Sequence, residues 1–205
     1  MSAAYRDGDA VPAGAHAPDV GPARRRLRRH LIEWAVMIAV ALAITLGVRG
    51  YVVQTFLVPS SSMEPTLLVG DRILVDKLAV DWGEINRGDV VVFHSPPNED
   101  CAGGHEAILV KRVIGLPGDH LYSIGDTIYV DGRPLKEAWP HTEPLGPPAV
   151  ASPRHPYVVG ADRYFVMGDN HASSCDSRYW GTISRGAIIG KVFLRVWPVS
   201  RFGFL

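Results

Sequence analysis

AILVKRVIGLPGD, residues 107–119, is the stretch from which the fold can be read. Ile108, Val110, Val113 and Ile114 are β-branched, and such side chains favour an extended, pleated chain over a helix. Leu116-Pro117-Gly118-Asp119 then signals a turn. Side chains on a strand alternate between its faces. Leu109, Lys111 and Val113 therefore share one face, while Ile108, Val110, Arg112 and Ile114 share the other. Lys111 is thus flanked by apolar neighbours. A free lysine titrates at about 10.4 and is protonated at pH 7, so it cannot act as a base. Burial disfavours the ammonium form and can lower that value by several units. The alternative is a lysine at a strand edge with its head in water, and periodicity leaves both open.

The same pattern recurs outward from this strand. RILV (72–75), DVVVF (89–93), HLYSIGDTIYV (120–130), YVVGADRYFVM (157–167) and AIIGKVFLRVW (187–197) are short β-branched or aromatic runs. Arg87-Gly88-Asp89, Asp131-Gly132 and Gly168-Asp169-Asn170 punctuate them as turns. Asp131-Gly132 after Ile128-Tyr129-Val130 predicts a tight hairpin. Sixteen prolines and twenty-one glycines among 205 residues argue against a helical bundle. The reading is a mainly β domain over 54–205. Residues 138–156 read as an irregular surface excursion, and no repeat of fixed period is present.

Towards the N-terminus the character changes. WAVMIAVALAITLGV (34–48) carries no charge, and with Leu31, Ile32 and 51–53 it approaches the roughly 20 residues that a bilayer span needs. Glu33 and Arg49 bracket it. A cleaved leader would show a small-residue Ala-x-Ala site, where this chain reads Val48-Arg49-Gly50-Tyr51. A buried soluble helix would rarely follow the arginine block RRRLRR (24–29). The favoured reading is a retained transmembrane anchor over 31–53, preceded by a disordered basic tail over 1–30. The arginines place that tail in the cytoplasm and the β domain outside it, at the cell membrane.

Charge narrows the function. The chain is neutral at pH 7, but residues 1–30 hold six arginines against three aspartates, so the remainder carries −3. A mildly acidic body with a basic tail does not suit nucleic acid, whose partners carry positive charge on the folded surface. Neither CxxC nor HExxH occurs, so no metal site and no cofactor is indicated. Cys101 and Cys175 leave one disulfide and two free thiols equally open.

VPSSSMEPTL (58–67) sets three serines on a rigid turn just after the apolar run. A serine hydroxyl needs a base before it is nucleophilic. His94, His105 and His120 sit in no catalytic-loop context, which leaves lysine as the candidate base. Here PSSSMEPTL (59–67), GDRILVDK (70–77), KRVIGLPGD (111–119) and GDNHASSCDSRYWG (168–181) resemble, in order, the four sequence boxes of bacterial type I signal peptidases. The resemblance covers roughly residues 30–200.

That resemblance implies an antiparallel β-sheet fold after one transmembrane helix, and a membrane-bound serine endopeptidase. It implies Ser62 as nucleophile and Lys111 as general base. The Ser62 N–H and the Ser60 hydroxyl would form the oxyanion hole, and Ser174 would orient the lysine amine. Asp176 and Arg178 would form a structural ion pair, while Asp169 and Asn170 would hold the supporting turn; Arg112 would be structural. Substrates would be the signal peptides of exported preproteins, cut after Ala-x-Ala at the bilayer surface. Val58, Met63, Leu67 and Val110 are candidate pocket walls, and the backbone near 56–58 and 108–110 could pair with an extended substrate.

The sequence departs from the family pattern twice. Ser61 stands where glycine is usual, and His171-Ala172-Ser173 replaces a usual charged pair before Ser174. Cys175 reads as a small buried residue. Two other classes stand beside this reading. A self-cleaving LexA-type protease would need a cleavage segment and a DNA-binding domain, and neither is present. A catalytically impaired membrane-anchored β domain would act as a binding module.

Overall fold

The computed structural model describes residues 21–81, 83–97 and 107–205. Residues 1–20 of the tail expected over 1–30, and Cys101, lie outside them. Two compact units divide at Thr45 and Leu46.

The first unit is dominated by one helix, α1 (Gly21–Tyr51). Pro22 suits a first helical turn, where its missing N–H costs nothing. The helix takes in the arginine block, which was expected to belong to the tail. Arginine is a good helix former, and Arg29 pairs with Glu33 one turn on, at 3.2 Å. The stretch Arg26–Gly47 is long and apolar enough to cross a bilayer, and none of it is buried against protein.

The second unit holds the strands β1 (Val53–Leu57), β2 (Arg72–Asp76), β3 (Val90–His94), β4 (Ile108–Gly115), β5 (His120–Ile124), β6 (Thr127–Val130), β7 (Arg133–Pro134), β8 (Tyr157–Val158), β9 (Arg163–Met167), β10 (Ile183–Ser184), β11 (Ile188–Trp197) and β12 (Gly203–Phe204). An eight-stranded sheet runs in the order β1-β2-β11-β3-β4-β9-β10, with β12 added to β11; a four-stranded sheet runs β7-β6-β5-β8. Every strand pairing is antiparallel. The mainly β, antiparallel architecture is therefore as the sequence implied.

Local chemistry sets the boundaries. Val130 pairs with Arg133 across a two-residue turn, in which Asp131 and Gly132 both take positive φ, 49° and 76°. That is the primed hairpin turn expected of Asp-Gly. Gly125-Asp126 makes a second tight turn that divides the run 120–130 into β5 and β6, with Ile124 opposite Thr127. The break at Gly160–Asp162 divides 157–167 into β8 and β9 in the same way.

Alternation along β4 feeds separate cores. Leu109 and Val113 pack with Val91 and Phe93 in one cluster. Val110 packs with Val58, Met63, Leu67, Val75, Val92 and Val192 in another. β2, β11, β3 and β4 all contribute to this second cluster, together with Val58 just after β1, so the sheet curls around it. A third cluster joins Ile114 and Phe165 to Leu121 and Ile128, tying the two sheets together. Leu145 and Val150 are buried there too, so the segment read as a surface excursion is packed into the core.

Candidate active site

The site is assembled from a strand, a turn and a strap. Lys111 lies mid-β4, opposite Val91 on β3, and is only 2% exposed. Its Nζ is hydrogen-bonded to Ser62 Oγ, 49 residues away in sequence. An amine buried in this way favours its neutral form, which can accept a proton.

Ser62 occupies a 3-10 turn, Ser61–Met63. Glu64 N–H closes this turn on Ser61 O at 3.0 Å, and Leu67 N–H reaches Met63 O at 2.9 Å. Of the three serines, Ser62 is buried, Ser60 half-buried and Ser61 exposed. The backbone at Ser60 is extended, which brings its hydroxyl to 3.4 Å from Ser62 Oγ. The departure at Ser61 is thus accommodated, because its side chain leaves the site.

Ser62 O accepts from Asn170 N–H at 3.0 Å, and Asn170 Nδ2 donates to Ser61 O at 3.2 Å. Gly168, two residues before Asn170, allows this approach. A Cβ there would lie 2.3 Å from Ser62 O and 2.3 Å from Ser174 Oγ. Gly168 stands one residue beyond the Arg112–Met167 pair of β4 and β9, hence beside Lys111. Ser174 is buried against it, and among the described residues its Oγ has no hydrogen-bond partner. The hydrogen bond to the lysine amine that the resemblance implies is therefore not formed here.

Two buried ion pairs brace the turn. Arg112 grips Asp169 with two hydrogen bonds of 2.8 and 2.7 Å and reaches Gly88 O at 2.7 Å. It also lies over the Trp139 ring, 5.0 Å from its centroid. Arg178 holds Asp176 with two bonds of 2.8 Å and extends to Leu145 O and His171 O, each at 2.6 Å. Asp176 in turn accepts from Gly168 N–H at 3.2 Å. Planar bidentate pairing of this kind fixes orientation as well as charge. On the other side of Ser62, Arg195 donates to Thr66 O at 2.6 Å and Arg201 to Asp71 at 2.7 Å. Burial holds the Arg195 guanidinium below the ordinary arginine value, helped by the charge of Arg201 and opposed by Asp71.

The strap is the part that sequence reasoning misses. Thr142 N–H donates to Asp169 O at 2.8 Å, its hydroxyl donates to Asn170 Oδ1 at 3.2 Å, and that hydroxyl accepts from His171 N–H at 3.1 Å. Thr66 is tied to Pro140 O at 3.2 Å. The usable signal is a tryptophan and two aliphatic residues, Leu145 and Val150, in a segment otherwise rich in Pro and Ala.

Val58, Met63, Leu67 and Val110 come together in one buried cluster, with Phe56 and Ile108 partly exposed against it. Phe56 and Gln54 of β1 and Ile108 of β4 line a cleft of about 420 Å³. A larger cleft of about 720 Å³, lined by Tyr157, Arg163 and Thr182 among others, includes neither Ser62 nor Lys111. Cys175 is half-buried and disulfide-bonded, so it is no free nucleophile.

Known proteins are similar to this chain over most of its length. The probable signal peptidase I-2 of Synechocystis sp. is 37% identical over 85% of this chain and 77% of its own length. The signal peptidase I of Leptolyngbya laminosa is 36% identical over 85% and 84%, and the signal peptidase IB of Staphylococcus aureus is 35% identical over 87% and 95%. A solved signal peptidase I from Enterococcus faecalis V583 superposes on 53% of this chain and 96% of its own, at 26% identity and a TM-score of 0.39. The family model described as signal peptidase, peptidase S26, matches residues 31–197, and the chain belongs to that family.

Proposed function

We propose that this chain is a membrane-anchored serine endopeptidase that removes signal peptides from exported preproteins, with Ser62 and Lys111 as its catalytic pair. The observation that carries the pair is the buried hydrogen bond between the Lys111 amine and the Ser62 hydroxyl. Neutral Lys111 takes the Ser62 proton as Oγ attacks the scissile carbonyl carbon. The oxyanion is received by the Ser62 N–H and the Ser60 hydroxyl. Lys111, now an ammonium, gives its proton to the leaving amine and the acyl-enzyme remains. The lysine then deprotonates water, which releases the cleaved signal peptide. Ser174 packs on the glycine beside Lys111; to orient the amine, its hydroxyl would have to turn towards Nζ from its present unbonded setting.

The substrate binds as an added strand. Among the described residues of β4, β9 pairs with Arg112, Val113 and Gly115 and with none of 108–110, so the 108–110 edge facing β9 is open. β1 ends the sheet on the other side. An extended peptide between 56–58 and 108–110 lies beside the Phe56 and Ile108 cleft, with Val58, Met63, Leu67 and Val110 behind it. So apolar and closely packed a wall selects small side chains, as in Ala-x-Ala.

The helix Arg26–Gly47 anchors the enzyme, its arginines on the cytoplasmic side. A second lipid contact is supported by Leu57, Arg72 and Trp197. They align across β1, β2 and β11 and are all exposed, as is Phe204 on β12.

The test is cleavage of a preprotein bearing an Ala-x-Ala site by purified protein in detergent. Wild type cuts once after the site, and Ser62→Ala and Lys111→Ala do not cut. Cleavage by Lys111→Ala at a wild-type rate overturns the pair.

A further inference from the structure

His171, Glu137 and His141 form a cluster that the mechanism above does not use. His171 is only 3% exposed. Its Nε2 lies 3.4 Å from Glu137 Oε2, on a side chain itself only 9% exposed. His141 Nδ1 lies 3.7 Å from the same oxygen, and the two imidazole rings stack with centroids 5.2 Å apart. Glu137 Oε2 is fully buried and makes no hydrogen bond of good geometry with any described residue. A carboxylate oxygen in that position costs several kcal/mol unless positive charge or polarised N–H faces it. Among the described residues, the two imidazoles provide that.

The tautomers follow from the neighbours. His141 Nδ1 lies 3.1 Å from Trp139 O; a carbonyl only accepts, so Nδ1 carries hydrogen and points its dipole at Glu137 as well. His171 Nε2 is the ring nitrogen of that residue that faces the carboxylate. The other charges around the cluster are Glu143, 3.9 Å from His141 Nε2, Arg178 on the His171 carbonyl, and the Arg112–Asp169 pair under Trp139. Among the described residues no group has metal-holding geometry.

We infer that Glu137 and His171, with His141 shared between them, are positioning residues: a charge clasp that pins the 169–174 turn to the 137–145 strap and so sets Ser62 against Lys111. The inference rests on the Ser62/Lys111 reading. The linkage is short. His171 N–H binds Thr142, Thr142 binds Asn170, and Asn170 binds the backbone of Ser61 and Ser62. The segment His171-Ala172-Ser173 lacks a local charged pair, and the clasp supplies one across space, 34 residues away at Glu137.

The test compares Glu137→Gln, His171→Gln and His171→Phe with wild type and Ser62→Ala in preprotein cleavage, with thermal melting of each. Glu137→Gln keeps shape and removes charge. It is expected to lower kcat about tenfold while KM stays within about twofold, because a nucleophile shifted by even 1 Å loses rate rather than substrate contacts. His171→Gln, which retains an N–H donor, is expected to keep more kcat than His171→Phe, which retains only the ring. A core role based on volume gives the reverse order. Wild-type kcat in Glu137→Gln, or His171→Phe outperforming His171→Gln, overturns the clasp. If His171→Phe does not fold, Glu137→Gln against Glu137→Asp decides it, with kcat expected to be higher in the aspartate variant. Cleavage by wild type but not by Ser62→Ala in the same series keeps the catalytic pair separate from this outcome.

Discussion

Gly168 and Ser174 touch so closely that no larger residue fits at 168: a Cβ there would stand 2.3 Å from Ser174 Oγ, and equally close to the Ser62 carbonyl. The Ser62 turn and the Ser174 segment both pack on a surface that has no side chain.

Gly168→Ala is therefore expected to push Ser62 away from Lys111. Preprotein cleavage should fall by about 10²-fold, the order of loss expected from a small misplacement of reacting groups. Circular dichroism should still report a β-rich fold. Wild-type rates in this variant would mean that the two turns separate without consequence.

The pH dependence follows from the burial of Lys111. As the proposed base, Lys111 would work only when neutral, so the rate is expected to rise with pH as the ammonium is lost. Burial disfavours that ammonium. The ascending limb of kcat/KM is expected well below the value of about 10.4 for a free lysine. A limb at the free-lysine position would mean that the amine is solvated during turnover.

Ser60→Ala removes one candidate oxyanion donor while leaving the Lys111–Ser62 bond. It should lower kcat by about 10²–10³-fold with little change in KM. A change confined to KM would assign Ser60 to substrate binding.

Much of this arrangement is legible in the sequence. β4 is readable because it is a run of β-branched and apolar residues buried on both faces, and the fold sends Leu109 and Val113 to one cluster and Val110 to another. Lys111 can be suspected from the same alternation, but Ser62 cannot be chosen among three adjacent serines without the family resemblance. β1 is hidden in the apolar run that precedes it, since the valines at 52 and 53 extend the hydrophobic pattern beyond the end of the helix. The strap is illegible for a different reason. It is held by single backbone and side-chain bonds from Thr142 to residues 169–171, and such long-range bonds leave no periodic trace in sequence.

The Arg112–Asp169 pair is buried on both sides. Asp169→Ala would leave the guanidinium without its counter-charge, a loss on the order of 3–5 kcal/mol. The expected readout is a clear drop in melting temperature together with lost activity. Arg112→Lys should recover little, because an ammonium cannot make both bonds at once. Full recovery by lysine would reduce the pair to simple charge balance.

The bond between Asn170 and Ser61 joins residues 109 apart, and that fact bears on time rather than geometry. A chain made from its N-terminus exposes the serine turn long before residue 170 exists, and long-range contacts of this kind close slowly. The hydroxyl therefore waits, without its lysine and then without its brace, until nearly the whole domain has been made. Under the proposed Ser62/Lys111 pair, the hydrolytic site would be completed only as the domain finishes folding.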